Sequence, residues 1–224
     1  MRPHILRPYR LAILASGEGT NLQALIDAIA SGALQAEIVA VFSDKLRCRA
    51  LKRARDAGIP AIGLAARAYP SRADFDAALF EMIDIARPDL IVCAGYMRLI
   101  TATEVDARSD RMINLHPSLL PAFKGLHTHQ QALDANATEH GASVHMVTAD
   151  LDDGPLIAQA RVPVLPADTP DTLAARVREQ EHPLLLEVVR LLASGALRLT
   201  GGHVYLNGET LAAPLQLRAN QRLA

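Results

Sequence analysis

From Leu11 onward the chain alternates short, continuously apolar runs with longer amphipathic ones, and this alternation constrains the fold more than any other feature. Leu11 to Ala15, Ile38 to Phe42, Ala61 to Leu64, Leu90 to Ala94 and Met112 to Leu115 read as strands. Between them, Asn21 to Ala30, Cys48 to Ala57, Ser71 to Arg87 and a short stretch near Thr101 to Ala107 read as helices. Strands without a polar side must be covered on both faces, which predicts a parallel sheet flanked by helices. Gly58 and Pro60 stop one helix, and Ser71 with Asp74 three residues on starts the next in the manner of a capping box.

Beyond Gly125 the rhythm loosens. A helix is expected over Leu126 to Asn136, then two strands, Ser143 to Val147 and Leu156 to Leu165, around the turn Asp150-Leu151-Asp152-Asp153-Gly154-Pro155. No helix fits between those strands, so an antiparallel pair is expected. Thr169-Pro170-Asp171 opens a long helix to about Ala193, which Pro183 is expected to kink. Gly201-Gly202 and Asn207-Gly208 flank Val204-Tyr205 as a small hairpin. Without repeats or a linker, the chain reads as one α/β domain over residues 11–205, with an N-terminal arm (1–10) and a C-terminal tail (206–224).

Composition narrows the partners. A chain of 224 residues buries a large core without cross-links, and its two cysteines, Cys48 and Cys93, fit neither a disulfide framework nor a zinc site. No apolar run reaches the roughly 18 residues of a membrane span, and the first ten residues lack the apolar region of a signal peptide. A soluble, cytoplasmic protein is expected. With 23 basic against 24 acidic residues and no Trp, nothing favours a nucleic-acid ligand.

Several polar groups stand where chemistry is done in such folds. Ser16-Gly17-Glu18-Gly19-Thr20-Asn21 joins the first strand to the first helix, where free N–H groups and the helix dipole suit a phosphate. It lacks the third glycine of a dinucleotide loop and the Lys of a triphosphate loop, so a plain tight turn is the alternative. Asn114 and His116, two apart at a strand end, point to the same side and can converge on one developing oxyanion. Asp152 can hold His116 charged or accept a proton if its turn folds back toward Asn114; otherwise it is a solvated turn residue. His127 and His129, with Asp152 or His145, form a weak metal pattern, and no metal is expected. Arg178 and Glu181 share a helix face, either as a surface ion pair or as groups for a phosphate and sugar hydroxyls.

The combination Asn114-x-His116-Pro117-Ser118-Leu119-Leu120-Pro121, Gly125-Leu126-His127-Thr128-His129, Ser143-Val144-His145 and Leu151-Asp152-x-Gly154-Pro155 resembles the phosphoribosylglycinamide formyltransferase family. The resemblance runs from Leu11 to about Ala193 and implies a Rossmann-like formyltransferase fold. It implies transfer of the formyl group of 10-formyltetrahydrofolate to the amine of glycinamide ribonucleotide, with Asn114, His116 and Asp152 as the catalytic set and no metal. Gly19, Thr20 and Asn21 match the loop that grips the substrate phosphate, and Arg178 and Glu181 match positions that hold the phosphoribosyl group. Folate contacts are implied at Arg72, at Met97, Arg98, Leu99 and Ile100, and at Val147, Thr148, Ala149, Asp150, Leu151 and Asp152. Lys124 stands where some relatives carry proline, and Asp153 where glycine is common; neither touches a catalytic position. The implied partners are these two small molecules, with neither nucleic acid nor membrane, and the assembly a monomer or weak homodimer. A formyltetrahydrofolate deformylase, a methionyl-tRNA formyltransferase, a non-catalytic nucleotide-binding module and a metallohydrolase are the competing readings. The first two carry an additional domain for which the chain has no evident room.

Overall fold

The computed structural model of the chain describes residues 7–224. The first five strands are β1 (Tyr9–Leu14), β2 (Ala36–Ser43), β3 (Ala61–Gly63), β4 (Leu90–Cys93) and β5 (Met112–His116). The helices between them are α1 (Thr20–Ala30), α2 (Arg49–Asp56), α3 (Arg72–Ile85) and the short α4 (Ala102–Asp106). There follow α5 (Thr128–Asp134), β6 (Glu139–Met146), β7 (Leu156–Pro163) and α6 (Pro170–Ala193). The chain closes with β8 (Leu197–Thr200), β9 (His203–Leu206), β10 (Glu209–Thr210) and β11 (Leu215–Gln216).

Eight strands form one sheet in the order β11-β7-β6-β5-β4-β1-β2-β3. Neighbours from β3 through β5 run parallel, whereas β5–β6 and β6–β7 are antiparallel. This is the expected α/β architecture with an antiparallel C-terminal part. The apolar strands earn their composition by alternation: Leu11, Ile13 and Ala15 enter the core on one face of the sheet, Ala12 and Leu14 that on the other. Leu90 and Val92 follow the first set, Ile91 and Cys93 the second.

The local signals behave as their chemistry requires. The Ser71 hydroxyl accepts from the Asp74 N–H at the start of α3, and Thr169 and Thr172 cap α6 reciprocally with Pro170 in the first turn. α6 runs to Ala193 with Pro183 inside it, the span expected. Two differences from the sequence reading stand out. α5 begins at Thr128 rather than Leu126, because His127 sits at φ 59° in the left-handed region and cannot join the helix. The expected hairpin is a three-stranded antiparallel sheet, β10-β9-β8, turning at both Gly201-Gly202 and Asn207-Gly208.

The terminal segments differ in what they do. Of the arm, residues 1–6 lie outside the described residues, and Tyr9 and Arg10 already belong to β1, in register with Ala36 and Glu37 of β2. Within 206–224, Leu215 and Gln216 pair in parallel with Ala158 and Gln159 of β7 and so extend the main sheet.

Candidate active site

The chain leaves β1 for β2 and β3 on one side and returns to β4 and β5 on the other, so a crevice opens above the carboxyl ends of β1 and β4. Two sets of groups face it.

The first is the β1–α1 loop. Gly19 takes the left-handed conformation (φ 69°), and a Cβ there would lie 2.7 Å from the Ala50 Cα of α2, so only glycine fits. No side chain caps α1 and no acidic residue occupies its first turn, which leaves its N–H groups and positive dipole end uncompensated. Asn21 donates through Nδ2 to Glu181 Oε2 of α6 at 3.0 Å, while its Oδ1 is buried without a partner. Thus Gly19, Thr20, Asn21 and Glu181 come together. Arg178 lies one turn away on α6, exposed and without an ion pair to Glu181 among the described residues.

The second set stands at the end of β5. Asn114 is in register with His145 of the antiparallel β6, which brings Asn114 Nδ2 to 3.2 Å from His145 Nε2. His145 Nδ1 faces the Met146 carbonyl at 2.8 Å, so Nδ1 carries hydrogen and Nε2 accepts from the amide. The β6–β7 turn folds back over this pair: Asp152 Oδ1 is 3.4 Å from Asn114 Nδ2, and its Oδ2 is 3.4 Å from His116 Nδ1. The side chains of His116 and Asp152 are only 6% and 9% exposed. Asp152 is held at φ 48° and accepts from the Gly125 N–H at 2.9 Å; Phe123 and His127 nearby also have positive φ. Backbone strain of this kind, roughly 1–3 kcal/mol per residue, concentrates where surrounding contacts impose it.

Gly154 allows the return of the turn, since a Cβ there would sit 1.8 Å from the Met146 carbonyl oxygen. Ser143 holds the other side, donating to the Ser118 carbonyl at 2.7 Å and accepting from the Leu120 N–H at 3.0 Å. The proline-rich loop after His116 is thereby pinned to β6.

The charges follow from this geometry. Burial pushes Asp152 up, but the His145 ring 3.6 Å away, a hydrogen bond from the Gly125 N–H and the neighbouring His116 outweigh it and hold the carboxylate below its ordinary range. For His116, burial pushes the ring down, and the Phe123 carbonyl (3.0 Å from Nε2) and Asp152 oppose this without overcoming it. Both ring nitrogens nevertheless face acceptors, Nε2 the Phe123 carbonyl and Nδ1 the Asp152 carboxylate.

Beside Asn114 lies a pocket of about 90 Å³. Arg98, Leu99 and Ile100 form one wall, and the chain from Val147 through Asp152 forms another. Two expected folate residues are not in its lining. Met97 is 66% exposed and is tied through its N–H to the Ser16 hydroxyl (3.1 Å), and Arg72 opens α3 in solvent. Sequence reasoning missed the supports. Asp76, buried on α3, accepts from the Thr101 N–H at 2.8 Å and fixes the end of the Met97–Ile100 segment. Cys93 lines the pocket as an inert thiol, pushed up to about 12 by burial. His145 was legible only as part of a motif; its contact with Asn114 needed the strand register. Among the described residues no group of three or more His, Cys, Asp or Glu is placed to hold a metal.

A mostly parallel α/β sheet with an amide, an imidazole and a carboxylate at its switch point defines a group-transfer enzyme, and the formyl transferase family model matches residues 9–189. The chain belongs to the formyl transferase family and is a transferase. Its relatives include phosphoribosylglycinamide formyltransferases: that of Escherichia coli K12 is 44% identical over 201 residues, 90% of this chain and 95% of that protein. Among solved structures, the enzyme of Coxiella burnetii is 49% identical with a TM-score of 0.88, covering 92% of this chain and 97% of that one. The Symbiobacterium toebii glycinamide ribonucleotide transformylase 1 is 44% identical with a TM-score of 0.85, over 89% and 94%. Among the described residues no helix is long and apolar enough to cross a membrane.

Proposed function

We propose that the protein transfers the formyl group of 10-formyltetrahydrofolate to the amine of glycinamide ribonucleotide, a step of purine synthesis in the cytoplasm. The observation that carries this reading is the convergence of Asn114, His116 and Asp152 beside a pocket and within one crevice of an open helix N-terminus. The substrate phosphate rests on the N–H groups of Gly19, Thr20 and Asn21, where the α1 dipole is uncompensated. A ribose hydroxyl donates to the orphaned Asn21 Oδ1, and Glu181 accepts from a second, with Arg178 adding positive charge.

The formyl folate enters beside Arg98, Leu99 and Ile100. The pocket there is narrow, about 90 Å³, and the chain from Val147 through Asp152 forms the wall against which the ring would pack. The amine attacks the formyl carbon, and the carbonyl oxygen gains charge. Asn114 Nδ2 donates to that oxygen, and His116 Nε2 exchanges the Phe123 carbonyl for it. The proton leaving the amine is taken up by the His116–Asp152 pair and then passes to the departing folate nitrogen.

The experiment is a spectroscopic folate assay run with and without glycinamide ribonucleotide. Folate product is expected only with the nucleotide; product without it would replace this reading by a deformylase. Asn114→Ala is expected to lower kcat by about 10²–10³ while both substrates still bind, and near-normal turnover would remove Asn114 from the reaction.

A further inference from the structure

His116, Ser143 and Gln159 form one row across the antiparallel half of the sheet. His116 of β5 is in register with Ser143 of β6, and Ser143 with Gln159 of β7, so the three side chains project to the same face. All are buried, at 5%, 0% and 4% exposure. A polar row at this depth is costly unless its hydrogen-bonding groups are used.

They are used on the loop that leaves β5. Gln159 Nε2 donates to the Leu120 carbonyl at 2.9 Å, across 39 positions of chain, and to the Ser143 hydroxyl at 3.0 Å. Ser143 passes its own hydrogen to the Ser118 carbonyl at 2.7 Å. The carbonyls of Pro117, Leu119 and Ala122 accept from the Thr128 hydroxyl, the Ala122 N–H and the Ser118 hydroxyl at 2.7, 3.1 and 2.7 Å. The Phe123 carbonyl ends the run against His116 Nε2 at 3.0 Å. A carbonyl only accepts, so Nε2 carries the hydrogen of that bond.

Residues 117–123 contain neither helix nor strand, and these contacts alone fix their path out from His116 and back to it. The ring torsion of a histidine is broad, so its direction is set by partners rather than by a rotamer well. For His116 the partners are the Phe123 carbonyl and, at the longer distance of 3.4 Å, Asp152 Oδ2. Gln159 does not line the pocket beside Asn114. Without its amide the buried Leu120 carbonyl would lose its donor, and the loop would have to shift to find another.

We propose that Gln159 is a positioning residue for formyl transfer: by holding Leu120 and Ser143 it places the Phe123 carbonyl against His116 and fixes the direction in which the ring presents Nε2. This rests on the reading of His116 as a group that acts on the substrate.

The test is steady-state kinetics and thermal unfolding of two variants. Gln159→Met keeps the length of the side chain and removes its donors, and Gln159→Asn leaves the amide one methylene short of Leu120. Each is expected to lower kcat about 10–100-fold while both KM values hold. In NMR spectra of protein carrying nitrogen-labelled histidine, the His116 Nε2–H should be protected from solvent exchange in the wild type and lost in the variants. Wild-type kcat per folded molecule with a protected Nε2–H, whatever the melting temperature, would make Gln159 purely structural and overturn the assignment. So would failure of both variants to fold, or a rise in KM with kcat unchanged. His116→Ala separates the two levels: normal turnover in that variant would remove the reading of His116 itself. An inactive His116→Ala beside an unimpaired Gln159→Met would remove the role of Gln159 alone.

Discussion

From β3 to β5 the sheet is parallel and its strands are apolar on both faces, whereas from β5 through β6 to β7 it is antiparallel and buries His116, His140, Ser143, His145 and Gln159. The first region presents backbone: the Gly19 turn and the free N–H groups of α1. The second presents side chains held by partners elsewhere in the fold, as Ser143 is by Ser118 and Leu120. A parallel βαβ unit makes a ligand platform from local chain geometry alone. Side-chain chemistry needs strands brought back from a distance, because acceptors and donors must meet within hydrogen-bond reach.

The sharpest way to break this contrast is Asp152→Asn, which keeps the shape of the antiparallel turn and removes its charge. Turnover is expected to fall about a hundredfold in steady-state kinetics, with the fold intact. An active Asn variant would reduce the second region to a scaffold.

The same region should also be the acid-sensitive one. His140 on β6 is fully buried, and burial, then the nearby His129 and His116, push it down to about 4. The unfolded chain takes up that proton near 6.5, so stability is complete above that value, declines as pH falls, and stops responding to His140 below about 4. The loss from this one group is about 3 kcal/mol at most. Thermal unfolding at a series of pH values should show a flatter decline in His140→Gln; an unchanged slope would assign the sensitivity elsewhere.

In the parallel region the critical change is Gly19→Ala. It places a methyl against Ala50 in a left-handed turn, and should cost about 1–3 kcal/mol in denaturant unfolding while raising KM for the nucleotide. Wild-type stability with normal KM would show that the turn is not tied to α2.

Most of the parallel half was legible residue by residue. Continuous apolar runs such as Leu90 to Ala94 admit only a strand covered on both faces, and Ser71 and Thr169 marked helix starts through their own hydroxyls. What stayed hidden depended on distant neighbours. β11 is two residues long and exists only because β7 offers an edge, and nothing in the sequence near Arg47 or Arg67 signals that the two share a groove. His116 is the clearest case at the site. Its pairing with Asp152 was anticipated from residue types, but the downward pull of burial on its ring was not, because burial is a property of the assembled loops.

By itself, then, the amino-acid sequence determined the alternation that makes a parallel sheet, the glycine turn before α1, and the identity of the groups that can do acyl chemistry. Those features depend on bonded neighbours and side-chain period. Tertiary structure alone decided that Asn114 meets His145 and Asp152, that burial pushes the His116 ring down, and that Arg98 lines both a narrow pocket and a basic groove. Desolvation and through-space contact depend on residues tens of positions apart, and only the packed fold sets them.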